Sequence, residues 1–216
     1  MNFFDKLNIE LNPYNLLEHP FYQGMIAAAL PLESLKTYAG QYWHYISAAP
    51  RYISTVHSMS SNLQIRQILL SRLIEEEKDN QAELWKNLAQ KLGCENSIFE
   101  KPAQFCATRD LIEGFFKLTR ASLPQGIGFL YVHNKQKEEV FDFTCQSLQK
   151  CAAINDPQTL KTFRTNKGAS SQNLAEIMQI IQDMSQEDKI QAYKGAIYSV
   201  KLLWRFLDDL SQEASL

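Results

Sequence analysis

Near the C-terminus Ile190, Tyr193, Ile197, Val200, Trp204, Leu207 and Leu210 recur at steps of three and four residues. That spacing gathers seven apolar side chains into one stripe along a long amphipathic helix. Ser185, with Asp188 three residues later, approximates a capping box and predicts where this helix starts. The same periodicity predicts a helix from Leu32 to about Ser58, with Tyr42, Tyr45, Ile46, Ala49, Ile53 and Val56 turned inward. Pro50 should kink it, because proline removes a backbone donor and crowds the preceding turn.

A third helical segment starts near Leu63 and carries Ile65, Ile68, Leu69, Leu73, Leu84, Trp85, Leu88 and Leu92. Lys78-Asp79-Asn80 should interrupt it locally, and Gly93 stands where a left-handed C-terminal cap falls. A polar connection from Cys94 to Pro102 precedes helices over roughly 104–120 and 125–151, with Pro124 near their junction. Asp156-Pro157 suits the start of a short helix, and Leu174, Ile177, Met178 and Ile181 outline another. Turn-bounded alternating strands, internal repeats and low-complexity tracts are absent. The expectation is an all-α bundle of about seven or eight helices in a single domain over 1–216.

With 216 residues, 45% hydrophobic and 21% charged, the composition is that of an ordinary globular chain, too apolar for disorder. No apolar run is long enough to span a bilayer, so no membrane partner is expected. The formal charge of −2, with scattered Lys and Arg, gives no broad attraction to phosphate and argues against nucleic acid. The opening Met1 to Lys6 lacks the features of a secretory signal, and a cytoplasmic location is expected, although non-classical export would leave no mark. Cys94, Cys106, Cys145 and Cys151 form no CxxC pair and read as reduced thiols. In the run Glu75-Glu76-Glu77 three consecutive carboxylates point three ways on a helix, so at least one belongs to a solvated face.

Several segments resemble a known family. Glu18-His19-Pro20-Phe21 resembles the opening of the TenA and PqqC superfamily of heme-oxygenase-like proteins. The stretch from Leu35 to Ile46, then Ala49-Pro50-Arg51-Tyr52, Val56-His57-Ser58 and the run from Arg66 to Glu77 are more specific. They resemble the Chlamydia protein associating with death domains (CADD). Glu83-Leu84-Trp85 and Leu92-Gly93 extend the similarity, which resumes around Leu130-Tyr131. The resemblance implies a helical bundle around a small-molecule pocket, commonly a homodimer. It spans several chemistries: pyrimidine hydrolysis by a cysteine nucleophile, metal-free oxidation of a quinone precursor, and a di-metal oxygenase site associated with p-aminobenzoate formation. Fold alone does not choose among them.

Carried over from the CADD-like branch, the metal-ligand positions fall on Glu76, Gln81, Asn134, Asn166, Ser170 and Asn173, with Tyr131 beside them in the pocket. Two redox metals side by side need several anionic oxygens and imidazoles, whereas amides and a hydroxyl are weak neutral donors. The spacing of 166, 170 and 173 suits one helical face, although Asn166-Lys167-Gly168-Ala169-Ser170-Ser171 also reads as a loop leading into a helix start. No metal is expected; iron or manganese enters only in a different register, for instance through Glu76, Glu77 and His133.

Tyr22 and Tyr38 match tyrosines near the family's pocket, where the resemblance implies that a tyrosine is the source of the aromatic product. Their ordinary reading is packing, with the hydroxyls hydrogen-bonded. His19, His44 and His57 read as satisfied structural histidines. No cysteine falls in the Leu123-Pro124-Gln125 region, so a TenA-like nucleophile is missing there. Tyr42, Trp43, Tyr45 and Tyr52 could line a pocket for a planar ligand or belong to the core. The preferred expectation is a family member that keeps the pocket, lacks the di-metal centre and binds a small organic ligand or a protein partner. The alternatives are an oxidoreductase of p-aminobenzoate or PqqC-like cofactor biosynthesis working through Tyr22 and Tyr38, and a host-protein interaction module.

Overall fold

Local capping chemistry divides the chain into helices in the computed structural model, which describes residues 1–152 and 167–214. Helix α1 (Phe3–Leu11) starts from a complete capping box, Asn2 and Asp5 each accepting the other's amide at 2.9 Å. Two short 3-10 turns lead to α2 (Pro20–Ile26), followed by α3 (Leu32–Met59), α4 (Leu63–Asp79), α5 (Gln81–Lys91) and the single turn α6 (Ser97–Glu100). After α7 (Cys106–Ala121) and α8 (Leu123–Ala152) come α9 (Lys167–Gln182) and α10 (Gln186–Ala214). Among the described residues seven of these helices exceed ten residues, in keeping with the all-α bundle read from the sequence. No helix among them is long and apolar enough to cross a membrane.

The predicted punctuation has physical counterparts. Asn80 separates α4 from α5 by adopting a left-handed conformation (φ +43°), which asparagine tolerates better than most residues. Its side chain then accepts from the Glu83 amide at the start of α5. Gly93, at φ +95°, turns the chain after α5 so that its own amide and that of Cys94 close on the Gln90 and Ala89 carbonyls. Ser185 accepts from the Asp188 amide at 3.1 Å and donates to its carboxylate at 2.9 Å. Pro124 lies in the first turn of α8, where no intrahelical donor is needed, so α8 begins slightly earlier than predicted. Pro50 lies inside α3, which continues as helix to Met59. The Asp156-Pro157 helix start falls outside the described residues.

Helix α8 runs through the bundle, packed by α10, α9, α7 and α3. Its contact with α10 depends on glycine: a Cβ on Gly128 would run into the Ala192 carbonyl, and one on Gly195 into the Gln125 carbonyl. Backbones that close leave no room for side chains, so Ala192 and Ala196 face the contact and are buried. The buried face of α10 differs in part from the predicted stripe. Val200, Leu207 and Leu210 are buried as predicted, whereas Ile190 is 56% exposed and Leu203 and Phe206 are buried with the stripe. On α3 the repeat of Tyr38, Tyr45 and Tyr52 is fully inward. Tyr45 and Tyr52 meet Phe115 edge-on, and Phe129 tilts against Phe115 at 4.6 Å, making an aromatic core at the middle of the molecule.

Candidate functional site

A cavity opens where α2, α3, α4, α5 and α8 converge. Its aromatic wall consists of Tyr22 from α2, Tyr38, Tyr42 and Tyr45 from α3, and Trp85 from α5. Its polar lining comes from Glu76, Gln81, His133, Gln136 and Thr144. The cavity has a volume of about 50 Å³, several times the ~10–15 Å³ that one water needs. The space therefore holds a few waters or a small polar group of that size.

The wall is ordered by internal hydrogen bonds. Tyr22 and Tyr38, both fully buried, join their hydroxyls at 2.7 Å with the rings nearly perpendicular. Burial pushes the Tyr22 phenol up to about 12 and Tyr38 well above the ordinary tyrosine value, so both remain protonated. Tyr38 stacks on Tyr42 at 5.3 Å, and Tyr42 tilts against Trp85 at 4.7 Å. The Trp85 indole N–H donates to the Ala39 carbonyl at 2.8 Å, which fixes the ring plane. Tyr45 Oη lies 2.6 Å from His133 Nδ1. Burial raises the Tyr45 phenol first of all, with neighbouring tyrosines and Glu76 adding to it, so the hydroxyl keeps its proton beside the imidazole.

The positions expected from the sequence divide sharply. Glu76 and Gln81 line the cavity, as do Tyr22, Tyr38 and His133. Tyr131 does not: it stands about 200° around α8 from His133, where its ring meets Phe4 at 5.6 Å and its hydroxyl donates to Asn8 at 3.0 Å. Placing Tyr131 in the pocket is therefore corrected by the register of α8, whose cavity face is 133, 136, 140 and 144. Asn134 is buried between α4 and α8, and its Oδ1 accepts from Arg72 Nη2 at 2.5 Å. Asn173 is also absent from the cavity lining and donates to Glu75 at 3.0 Å. Asn166 lies outside the described residues; Ser170 belongs to α9, with its side chain outside them too. The combination of Glu76, Glu77 and His133 does not assemble, because Glu77 is exposed while the other two face inward.

Of the expected aromatic set, Trp43 instead packs on Phe99 and Tyr52 belongs to the Phe115–Phe116 core. His19 caps α2, and Gln125 donates to Gln191 across the α8–α10 contact. Cys94 donates to the Lys36 carbonyl and Cys106 is exposed, both as free thiols outside the cavity. The sequence reading missed Arg72 and Gln136. Arg72 precedes Glu76 by one helical turn, the spacing of an ion pair, and this was the available signal. Arg72 is 2% exposed; burial lowers its pKa, while the carboxylates of Glu76, Glu75 and Glu176 favour its charged form. Among the described residues no group of three His, Cys, Asp or Glu side chains could hold a metal ion.

The architecture is that of a heme-oxygenase-like protein. A domain with this fold from Shewanella denitrificans matches with a TM-score of 0.82, over 100% of this chain and 94% of that one, at 16% identity. A CADD-like protein from Nostoc punctiforme matches with 0.77, over 98% and 96% of the two chains, at 14% identity. The TENA/THI-4/PQQC family model matches residues 8–120, and the chain belongs to that family. A relative from Chlamydia muridarum, named 4-aminobenzoate synthase, is 28% identical over 218 residues, covering 100% of this chain and 92% of its own.

Proposed function

We propose that this protein is a small-ligand-binding member of its family that works without a di-metal oxygenase centre. The observation that carries the reading is the Arg72–Asn134 hydrogen bond, with Glu76 one turn along α4 from the guanidinium. In the resemblance Glu76 and Asn134 are ligand positions. Here a permanent internal cation engages one of them and shares the field of the other. Two divalent ions brought to the same place would meet that positive charge in a poorly screened interior, with amides in place of carboxylates to offset it. The described donor set does not fit a pair of oxygen-activating metals, and no step through such a pair is derived. What remains is a small aromatic-walled cavity with a few polar groups, the usual form of a small-molecule site.

Elemental analysis of protein purified from iron- and manganese-supplemented cells tests this directly. Less than a tenth of an equivalent of either metal per chain is expected. Stoichiometric metal that is lost in Glu76→Ala overturns the reading.

The second reading is an oxidative, 4-aminobenzoate-forming activity. It is favoured by the name of the Chlamydia muridarum relative together with the Tyr22–Tyr38 pair at the cavity wall. Complementation of a 4-aminobenzoate-requiring strain by the wild type, abolished in Tyr22→Phe or Tyr38→Phe, would establish it. A homodimer, implied by the resemblance, is tested by sedimentation equilibrium.

A further inference from the structure

We infer that the cavity selects a small organic cation: an ammonium or amidinium group carried on a hydrocarbon or a single aromatic ring. This rests on the ligand-binding reading above and specifies the ligand's charge. The first observation is the commitment of the wall's hydrogen-bond donors. The Trp85 N–H goes to the Ala39 carbonyl, Tyr45 and His133 share one hydrogen bond, and the Tyr22–Tyr38 pair spends one hydroxyl proton internally. The aromatic wall thus offers an anion few donors. The second observation is the set of acceptors. Glu76 lines the cavity, and Gln136 Oε1 lies buried at the same wall with no hydrogen-bond partner. A buried carbonyl oxygen left without a donor is costly, and a ligand N–H satisfies it.

The third observation is the π surface. Tyr38, Tyr42 and Trp85 stand against one another at 5.3 and 4.7 Å, a continuous set of rings beside the carboxylate. Ring faces attract cations electrostatically, most strongly where water is excluded. Arg72 lies outside the lining, and its one positive charge is shared among three carboxylates, Glu75, Glu76 and Glu176. Carboxylate, unsatisfied carbonyl and aromatic faces converge on one small space and favour a ligand with a positive, donor-rich head.

Three probes of one shape separate charge from size: benzylamine, benzyl alcohol and benzoate, titrated calorimetrically into the full-length protein at pH 7.5. Benzylamine should bind at least tenfold more tightly than either of the others. The advantage should fall by about tenfold in Glu76→Gln and in Gln136→Leu, the second variant serving if the first fails to fold. Benzyl alcohol or benzoate binding as tightly as benzylamine, or a preference unchanged in a folded variant, overturns the cation inference while leaving a ligand site intact. Failure of all three probes to bind overturns both the inference and the ligand-binding reading beneath it.

Discussion

His19 Nε2 lies 3.0 Å from Asp208 Oδ1, so one imidazole ties the entrance of α2 to α10 across nearly the whole chain. Its other nitrogen, Nδ1, accepts the Phe21 amide and caps α2. The cap requires a neutral ring with the proton on Nε2, donated to Asp208. Burial lowers the His19 pKa below the ordinary 6.5, against the raising effects of the Asp208 hydrogen bond and charge. The unfolded chain therefore takes up this proton first on acidification. The stability His19 contributes is present above about pH 6.5 and declines as pH falls toward its lowered folded-state value. His44 is shifted in the same direction, also chiefly by burial. Urea unfolding of wild type and His19→Ala between pH 5 and 8 isolates the effect. The variant should lose about 1–2 kcal/mol at pH 7.5 and show a shallower decline on the acid side. An unchanged slope would contradict the role assigned to His19.

The α8–α10 contact leads to a prediction opposite to helix propensity. Alanine normally favours a helix over glycine by about 1 kcal/mol. At Gly128 and Gly195 the added carbon meets a backbone carbonyl of the facing helix, which cannot rotate away. Gly128→Ala and Gly195→Ala should each destabilise the protein by about 1–3 kcal/mol, read as a lowered thermal midpoint. A neutral or raised midpoint for both would mean that the helices do not approach so closely.

The joined hydroxyls of Tyr22 and Tyr38 behave as one unit. Tyr22→Phe or Tyr38→Phe leaves a buried hydroxyl with one partner fewer and should cost about 1 kcal/mol each. The double variant should cost less than the sum of the two, because no orphaned partner remains. Urea denaturation of the four proteins checks this, and strict additivity would sever the pair. With the Tyr22 phenol pushed up to about 12, its ultraviolet titration should begin only above about pH 11.

Arg72 is the charge on which the proposed function depends. Replacing it by Met leaves Glu76 and Glu75 without their buried counter-charge and Asn134 without its donor. The expected loss is about 3 kcal/mol, with a smaller loss for Arg72→Lys, which keeps the charge without the planar fork. Equal stability of Arg72→Met and wild type in denaturant titration would remove this guanidinium from its assigned place.

Helices and their boundaries were legible in the chain because both are local. Asn80, Gly93 and Ser185 act on backbone groups within a turn of themselves, and the stripe of α10 repeats within a single element. The resemblance likewise drew attention to Glu76, Gln81, Tyr22 and Tyr38, which line one cavity. Periodicity states which face of a helix is apolar, but not what that face meets. It could not tell that Tyr131 turns toward Asn8 while His133, two residues on, turns toward Tyr45. Nor could it join Arg72 to Asn134, or show that α8 and α10 meet through glycines while Ile190 lies outside the core. Those outcomes depend on the rotation and spacing of helices distant in sequence. That geometry emerges only when all the faces are packed together, and the sign and shape of the site emerge with it.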